Sequence, residues 1–128
     1  MTDSPAAATA LHVCLKVADA DRAAAWYRDQ LGFEDAWSFE TDDQRNVYVA
    51  DGNGFELQLS EDDAVPDPQP GTAWDHLAVE VEDVDAALER IDDHGVVQAP
   101  TAVPAAGARV AFIADPDGHV VELVEPLE

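Results

Sequence analysis

The sequence predicts an α+β protein of two tandem βαβββ modules that form a curved, cup-like mixed sheet. The first observation is the alternation of apolar and polar residues in several short segments, which is typical of strands. The second is a helix-like segment after the first strand of each half. The third is a repeat with a constant spacing along the chain, which separates His76 from His12 and Gly118 from Gly54 alike. Because one such half leaves a sheet face uncovered, two halves must pair, either within one chain or between chains.

The first module is predicted over residues 11–61. Residues 11–17 (LHVCLKV) alternate, with the leucines and valines on one face, and therefore predict a strand. Asp19 or Asp21 is expected to cap a helix through RAAAWYRDQL, which ends at Gly32. Further strands are expected over 33–40, 46–51 and, after a Gly-Asn-Gly turn, 55–61.

The second module is predicted over residues 74–126, after a linker over 62–73 that contains three prolines and no periodicity. Its first strand, WDHLAVEV, alternates like the first strand of the chain. Asp83 is expected to cap a helix through VDAALERIDDH, which ends at Gly95. Beyond a segment over 96–108 that is expected to be loose, strands are predicted over 109–114 and, after a DPDG turn, 119–125.

The composition indicates a single small domain with a very acidic surface. The 128 residues suit one compact domain, and the small and polar residues 1–10 are expected to form a mobile arm. A net charge of −22, from 28 acidic and 6 basic residues, excludes nucleic-acid binding through a basic face. The acidic residues are spread along the chain, which predicts a halophilic protein. The short apolar runs and the lack of a secretory signal predict no membrane span and a cytoplasmic location.

The chain contains one cysteine, Cys14, so it forms no internal disulfide. Its place in an apolar strand pattern predicts a small buried side chain without a reactive role. The chemistry of the protein is therefore expected to depend on histidines and carboxylates.

Four side chains of metal-ligand type are predicted on one face of the two half-sheets. The helices cover the apolar strand faces, which leaves His12, Glu56 and His76 on the opposite face, with Glu122 between valines on the last strand. Glu122 lies two positions beyond the one that the repeat assigns to Glu56, and a shift of two along a strand keeps it on the same face. Two imidazoles and two carboxylates suit one divalent cation per site, with Ni²⁺ or Zn²⁺ favoured over Co²⁺ or Mn²⁺.

The segments LHVCLKVADADRAAAWYRDQLGFE, GTAWDHLAVEVEDV and DPDGHVVELVEP resemble the glyoxalase I branch of the vicinal oxygen chelate superfamily, over residues 11–126. The resemblance implies that His12, Glu56, His76 and Glu122 are the metal ligands. It also implies that Glu122, with Glu56 opposite, moves a proton in the hemithioacetal of methylglyoxal and a small thiol, through an enediolate, to give a 2-hydroxyacyl thioester. In a homodimer of this kind, the first two ligands come from one chain and the last two from the other.

Recognition of the thiol is expected to differ from that of glutathione-using relatives. By the resemblance, Lys16 replaces an arginine that follows the first ligand, and Ser60 replaces an asparagine that follows the second. A lysine that is often found before the seventh strand is absent, which leaves Arg109 as the nearest cation. Lys16, Ser60 and Arg109 are therefore the predicted substrate-binding residues, for a thiol that is smaller than or different from glutathione.

Three other functions remain open on the sequence. One is a methylmalonyl-CoA epimerase-like enzyme, whose members commonly carry Gln where Glu56 stands. Another is a metal-dependent thiol transferase that acts on an antibiotic. The third is a non-enzymatic dimer of the bleomycin-resistance kind, whose apolar cleft would be lined by Trp26, Trp37 and Trp74. A binding pocket has no need of four metal ligands, so the enzyme is favoured.

Overall fold

The protein consists of two four-stranded mixed sheets, each accompanied by one helix, in a computed structural model that describes residues 7–127. This arrangement confirms the predicted fold class of two βαβββ modules. Residues 7–10 have no regular structure, and residues 1–6 of the expected arm lie outside the described part of the chain. The elements are β1 (His12–Lys16), α1 (Ala20–Leu31), β2 (Glu34–Glu40), β3 (Gln44–Ala50), β4 (Glu56–Asp62), β5 (Leu77–Glu80), α2 (Val84–Arg90), β6 (Val96–Val103), a short 3₁₀ helix (Pro104–Ala106), β7 (Ala108–Ala114) and β8 (Val120–Pro126).

The two sheets have the same strand order and the same register. The order is β1-β4-β3-β2 in the first sheet and β5-β8-β7-β6 in the second, with one parallel pair in each. Val13 pairs with Leu57 in the first parallel pair, and Leu77 pairs with Val121 in the second. Leu77 follows Val13 in the sequence by the same number of residues as His76 follows His12, and Val121 follows Leu57 by that number as well. The repeat of the sequence therefore holds in the backbone pairing.

The two helices begin with the predicted caps, but only the first ends where expected. The carboxylates of Asp19 and Asp83 each accept a hydrogen bond from the backbone N–H three residues later. Helix α1 ends at Gly32, whose φ of 73° suits a residue without a Cβ. Helix α2 ends at Arg90 rather than near Gly95, because the buried Ile91 adopts an extended backbone. The two aspartates that follow are also unfavourable at the negative end of a helix dipole.

The prediction of a loose segment after residue 95 is wrong, because Val96–Val103 form strand β6. The strand lies at the edge of the second sheet, where Pro100 removes no ladder donor that the sheet needs. Register shifts on both sides of Gln98 interrupt its pairing with β7. These irregularities remove the alternation on which a strand prediction depends.

One hydrophobic core contains the helix-facing sides of both sheets. Residues of β1, β3 and β4 pack with α1, and residues of β7 and β8 pack with α2, in a single cluster. The two modules are also joined by polar contacts, among them a hydrogen bond of 2.7 Å from the Tyr27 hydroxyl to Asp115. Because the helix-facing sides share this core, the opposite faces, on which the ligand-type residues lie, are directed outward. Within residues 7–127, no helix is long and apolar enough to cross a membrane.

Candidate metal centre

The second module holds an imidazole and a carboxylate together on its outward face. His76 immediately precedes β5, and its Nε2 lies 3.1 Å from an oxygen of Glu122 on β8. The Nδ1 of His76 contacts the carboxylate of Asp75, an arrangement that is common behind metal-binding histidines. The ring of Phe112 meets the His76 ring edge-on, with the centroids 5.3 Å apart. His76 is thus oriented by two neighbours, and both groups of the pair are of the type that binds divalent cations.

The first module carries a similar but not identical group. His12 stands opposite Glu56 in the parallel pair of β1 and β4, and its ring meets that of Tyr48 edge-on at 5.3 Å. One oxygen of Glu56 accepts a hydrogen bond of 3.2 Å from the Trp37 indole. Gln58 follows on the same face of β4. This module therefore offers two oxygen donors near His12, one carboxylate and one amide.

The backbone pairing keeps the offset of two residues between Glu56 and Glu122 that the sequence repeat indicates. The register places Gln58 opposite Tyr48, just as Glu122 stands opposite Phe112, and the second pair follows the first by the repeat spacing. The counterpart of Glu56 is Val120. Glu56 still shares the face of His12, as the parity argument requires, but it stands two residues before the position that corresponds to Glu122. Applying the repeat spacing to Glu122 would have pointed to Gln58.

The two half-sites do not meet within one chain. They lie on faces directed away from the common core. Among residues 7–127, no three of the four predicted ligands bring their ligating atoms within 4.8 Å of one another. Each chain therefore presents two separate half-sites on its outward faces.

A separate cluster of three carboxylates has oxygens that all lie within 4.8 Å of one another. Its members are Asp83, Asp85 and Glu125. Its members are occupied with the start of helix α2, where Asp83 and Glu125 accept hydrogen bonds from backbone N–H groups. Asp85 forms an ion pair with Arg109. The same arrangement recurs at the equivalent positions around the start of α1, so we interpret it as a device that anchors a helix. The corresponding first-module residues are Asp19, Asp21, Glu61 and Arg45.

Lys16 and Ser60 lie on the same face of the first sheet as His12. The Lys16 amine lies 3.3 Å from the Ser60 hydroxyl and 3.1 Å from the carboxylate of Asp62. Hydrogen bonds from the Ala64 N–H and from Lys16 hold the pKa of Asp62 below its ordinary value. The Lys16 side chain remains 42% exposed, so it can still meet an anionic group of a ligand.

Arg109 lies on the other face of the second sheet. Its guanidinium donates two hydrogen bonds, of 2.9 and 3.0 Å, to the carboxylate of Asp85 near the start of α2. Along β7 it has the parity of Ala111 and Ile113, which belong to the core, and the opposite parity to Phe112. Arg109 therefore does not enter the site proposed below.

Sequence reasoning missed two features of the first outward face. Cys14 was expected to be buried but is exposed there, because its strand parity is that of His12. Trp37 stacks on Tyr48, with ring centroids 4.0 Å apart, and on Phe39 at 5.6 Å. Trp37 is 50% exposed. Of the three tryptophans considered for a cleft it is the one on this face, since Trp26 is buried in the core and Trp74 packs against it.

Comparisons with known proteins agree with this fold. Residues 9–123 match the family described as the Glyoxalase/Bleomycin resistance protein/Dioxygenase superfamily. Lactoylglutathione lyase from Haemophilus influenzae is 30% identical over 122 residues, which cover 90% of each chain. An antibiotic-binding protein from Streptomyces superposes with a TM-score of 0.75 at 26% identity, over 96% of this chain and 99% of the other.

Glyoxalase I from Zea mays superposes with a TM-score of 0.79 over 92% of this chain, at 24% identity, and this likeness shows the fold alone. The chain spans 44% of the length of that maize protein. The matching residues include both modules and the strands that carry both half-sites. The chain therefore belongs to the glyoxalase, bleomycin resistance protein and dioxygenase superfamily.

Proposed function

We propose that the protein is a metal-dependent, glyoxalase I-like lyase. It would convert the hemithioacetal of a 2-oxoaldehyde such as methylglyoxal and a small thiol into a 2-hydroxyacyl thioester. Relatives named lactoylglutathione lyase, at about 30% identity over 90% of the chain, support this activity. The observation that carries the proposal is the 3.1 Å pair of His76 and Glu122, with Asp75 behind the imidazole.

The donor set suits a divalent cation. His12, His76 and Glu122 would hold it, together with an oxygen donor from β4, where Glu56 and Gln58 are the candidates. Ni²⁺ or Zn²⁺ fits imidazole and oxygen donors best, and Co²⁺ or Mn²⁺ is also compatible. When bound, the ion would polarise the substrate oxygens and stabilise the negative charge that develops on proton removal.

Glu122 is the proposed catalytic residue of the chain itself. Its carboxylate would take the proton from C1 of the hemithioacetal and return it at C2, so that the proton balance of the isomerisation closes. The side chain is 18% exposed and faces His76, and it therefore stays partly shielded from water. On the other module, Lys16 would attract a carboxylate of the thiol as a point charge, with Ser60 as its neighbour.

We propose that the active form is a homodimer with sites between subunits. His12 and the β4 donor of one chain would face His76 and Glu122 of the partner subunit, and two-fold symmetry would create two equivalent sites. The exposed aromatic side chains Trp37 and Phe39, on the same outward face as His12, support this assembly, because they offer apolar surface that a partner would cover.

Mixing two inactive variants tests both the chemistry and the assembly. His12→Ala and Glu122→Ala chains are expected to be inactive alone, but each heterodimer would contain one intact site. Random exchange makes half of the dimers mixed, so activity should return to about a quarter of that of the unmodified protein. His76→Ala mixed with Glu122→Ala is the matched control, since every mixed site then lacks one of the two groups.

Exchange without any return of activity would show that each site lies within one chain. If the unmodified protein binds stoichiometric metal but converts no hemithioacetal of methylglyoxal with any of several thiols, the lyase proposal is wrong. Elemental analysis after chelator treatment and a lactoyl-thioester absorbance assay supply the two measurements.

Two alternatives are each supported by specific observations. Gln58, at the position equivalent to Glu122, is the residue type expected at a ligand position of methylmalonyl-CoA epimerase-like enzymes. Epimerase activity at C2 of a methylmalonyl thioester would favour that function. The aromatic group around Trp37 and the likeness to a Streptomyces antibiotic-binding protein suit a binding function. Tight binding of an aromatic antibiotic to the chelator-treated protein would favour it. A thiol transferase, a cytoplasmic location and a high-salt habitat remain predictions.

A further inference from the structure

We propose that Gln58, and not Glu56, is the donor that the first module contributes to the metal centre. Each site would then contain one carboxylate rather than two. This inference rests on the proposed function, because it assigns a residue of the same site. Three observations carry it, and none of them depends on which metal is bound.

The first observation is that the two histidines are held in the same way. The ring centroids of His12 and Tyr48 are 5.3 Å apart with an interplanar angle of 88°, and those of His76 and Phe112 are 5.3 Å apart at 84°. In the second module, this pose brings Nε2 of the histidine to 3.1 Å from the carboxylate opposite the aromatic ring, which is Glu122. In the first module the residue opposite the aromatic ring is Gln58.

The second observation is that the Gln58 amide is fixed by a buried partner. Its Nε2 donates a hydrogen bond of 2.9 Å to Oδ1 of Asn46, which is fully buried. The amide oxygen of Gln58 is therefore free to act as an acceptor or as a metal ligand, as amide oxygens do in cation sites. The counterpart of Asn46 in the second module is Val110, so the buried amide belongs to the first module alone.

The third observation is that Glu56 has another partner. Its carboxylate accepts the 3.2 Å hydrogen bond from Trp37, a residue of β2 at the far edge of the sheet from β1. The aliphatic counterpart of Glu56, Val120, offers no donor in the second module. We therefore assign Glu56 to positioning Trp37, the exposed indole of the aromatic group beside the site.

The assignment changes the charge of the centre and the distribution of chemical roles. An amide oxygen is a neutral ligand, so the donor set becomes two imidazoles, one amide and one carboxylate. Glu122 is then the single carboxylate at the centre, and proton transfer depends on that residue without a second carboxylate opposite it. Replacing Gln58 by Glu would add a negative charge next to the metal.

Metal affinity of isolated variants tests the assignment without an activity assay. We expect Gln58→Ala to weaken Zn²⁺ binding at least about 10-fold in competition with a chromophoric chelator. Glu56→Gln, the matched control one step along the same strand face, should stay within about threefold of the unmodified protein. Visible absorption of the Co²⁺-loaded proteins gives a second reading, which Gln58→Glu should change and Glu56→Gln should leave unaltered.

A tenfold loss with Glu56→Gln, or unchanged affinity and spectrum in both Gln58 variants, would overturn the assignment. Gln58→Glu keeps the shape of the side chain, so its spectrum decides the matter if Gln58→Ala does not fold. His76→Ala separates this result from the wider proposal. If that variant also keeps full Zn²⁺ affinity, the metal centre itself is wrong, whereas loss with His76→Ala and not with Gln58→Ala rejects Gln58 alone.

Discussion

The two modules share the carboxylates that accept hydrogen bonds from backbone N–H groups, and they differ on their outward faces. Each helix is capped by an aspartate, Asp19 or Asp83, and receives a second carboxylate from the last strand of its own module. Each turn before that strand is closed by an aspartate that accepts two backbone N–H groups, Asp51 in the first module and Asp115 in the second. All of these pairs are separated by the same spacing along the chain, which is that of His12 and His76.

The outward faces follow a different rule. In the first module, Gln58 stands opposite Tyr48, and Trp37 stacks on the tyrosine. In the second, Glu122 stands opposite Phe112, and the position of Trp37 is taken by a threonine. Both faces carry an imidazole beside an aromatic ring, but the first adds a cation and stacked aromatic rings and has an amide at the position where the second has a carboxylate.

This comparison teaches which constraints both halves of a repeat obey. Backbone N–H groups at helix starts and tight turns need acceptors in either half, so the residues that supply them recur. The outward faces have no such common requirement, since a site formed between two different faces needs complementary groups. We therefore expect replacement of the shared hydrogen-bond acceptors to alter stability, and replacement of residues on the outward faces to alter binding.

The largest effect on stability is expected at the turn aspartate of the second module, which is buried. Asp115 is fully buried and accepts hydrogen bonds from Tyr27 and from two backbone N–H groups, whereas its counterpart Asp51 is exposed and accepts only the backbone pair. Asp115→Ala leaves three donors without a partner and should cost about 3 kcal/mol, against about 1 kcal/mol for Asp51→Ala. Urea unfolding midpoints of the two variants measure the difference.

Tyr27→Phe is the control for this pair, because it removes only the contact between modules and keeps the turn intact. It should fall between the two aspartate variants. Equal midpoints for Asp115→Ala and Asp51→Ala would mean that the bond between modules contributes nothing. Burial also raises the pKa of Asp115, so part of the gain from its hydrogen bonds is offset by desolvation of the carboxylate.

The second expected effect concerns charge, which is also unequal between the modules. Residues 11–61 contain eleven acidic and four basic residues, and residues 74–126 contain twelve acidic and two basic residues. Two unit charges about 10 Å apart in water repel by about 0.4 kcal/mol, and many such pairs add up. Raising KCl from about 10 mM to about 1 M should therefore stabilise the protein, by on the order of 2 kcal/mol.

Hydrogen exchange at the two salt concentrations locates this effect. The amides of the second module should gain more protection than those of the first, because its net charge is more negative. An unfolding midpoint that does not change with KCl would remove the argument for a halophilic protein. Sodium sulfate is not a suitable substitute in this test, since it also strengthens hydrophobic burial.

Local pattern predicted most of the fold but only part of the site. Alternation and caps located seven of the eight strands and both helix starts, because those features depend on neighbours in sequence. Strand β6 was not predicted, because its bulges and Pro100 break the alternation of apolar and polar residues. The end of α2 at Arg90 was not predicted, because it depends on the burial of Ile91 in a core to which both modules contribute.

At the site, parity placed His12, Glu56, His76 and Glu122 on outward faces, but it could not choose between residues two apart on one strand. That choice depends on the pairing of β4 with β3, in which Tyr48 stands opposite Gln58. Parity along the predicted strand 109–114 already gives Arg109 the face of the core residues Ala111 and Ile113, so the same rule excludes it from the outward face. The sequence repeat contained part of the missing information.

The smallest expected effect concerns the two repeated ion pairs between a strand arginine and a helix aspartate. Hydrogen bonds from Arg45 hold the pKa of Asp21 below its ordinary value, and those from Arg109 do the same for Asp85. Arg45→Gln and Arg109→Gln should let each aspartate return toward about 3.9. Carbon-detected NMR titration of the carboxyl groups measures both values.

The sign of the stability effect follows from the direction of these shifts. A carboxyl group whose pKa is lowered on folding stabilises the protein above its unfolded value, near about 3.9, and that contribution is lost as the pH falls through the lowered folded value. The variants should therefore differ from the unmodified protein near neutral pH and converge with it in acid. Arg45 also binds Glu40 at 2.7 Å, and the second module has a proline at the corresponding position. Arg45→Gln should accordingly lower the unfolding midpoint more than Arg109→Gln, and the reverse order would show that the second pair is the more important one.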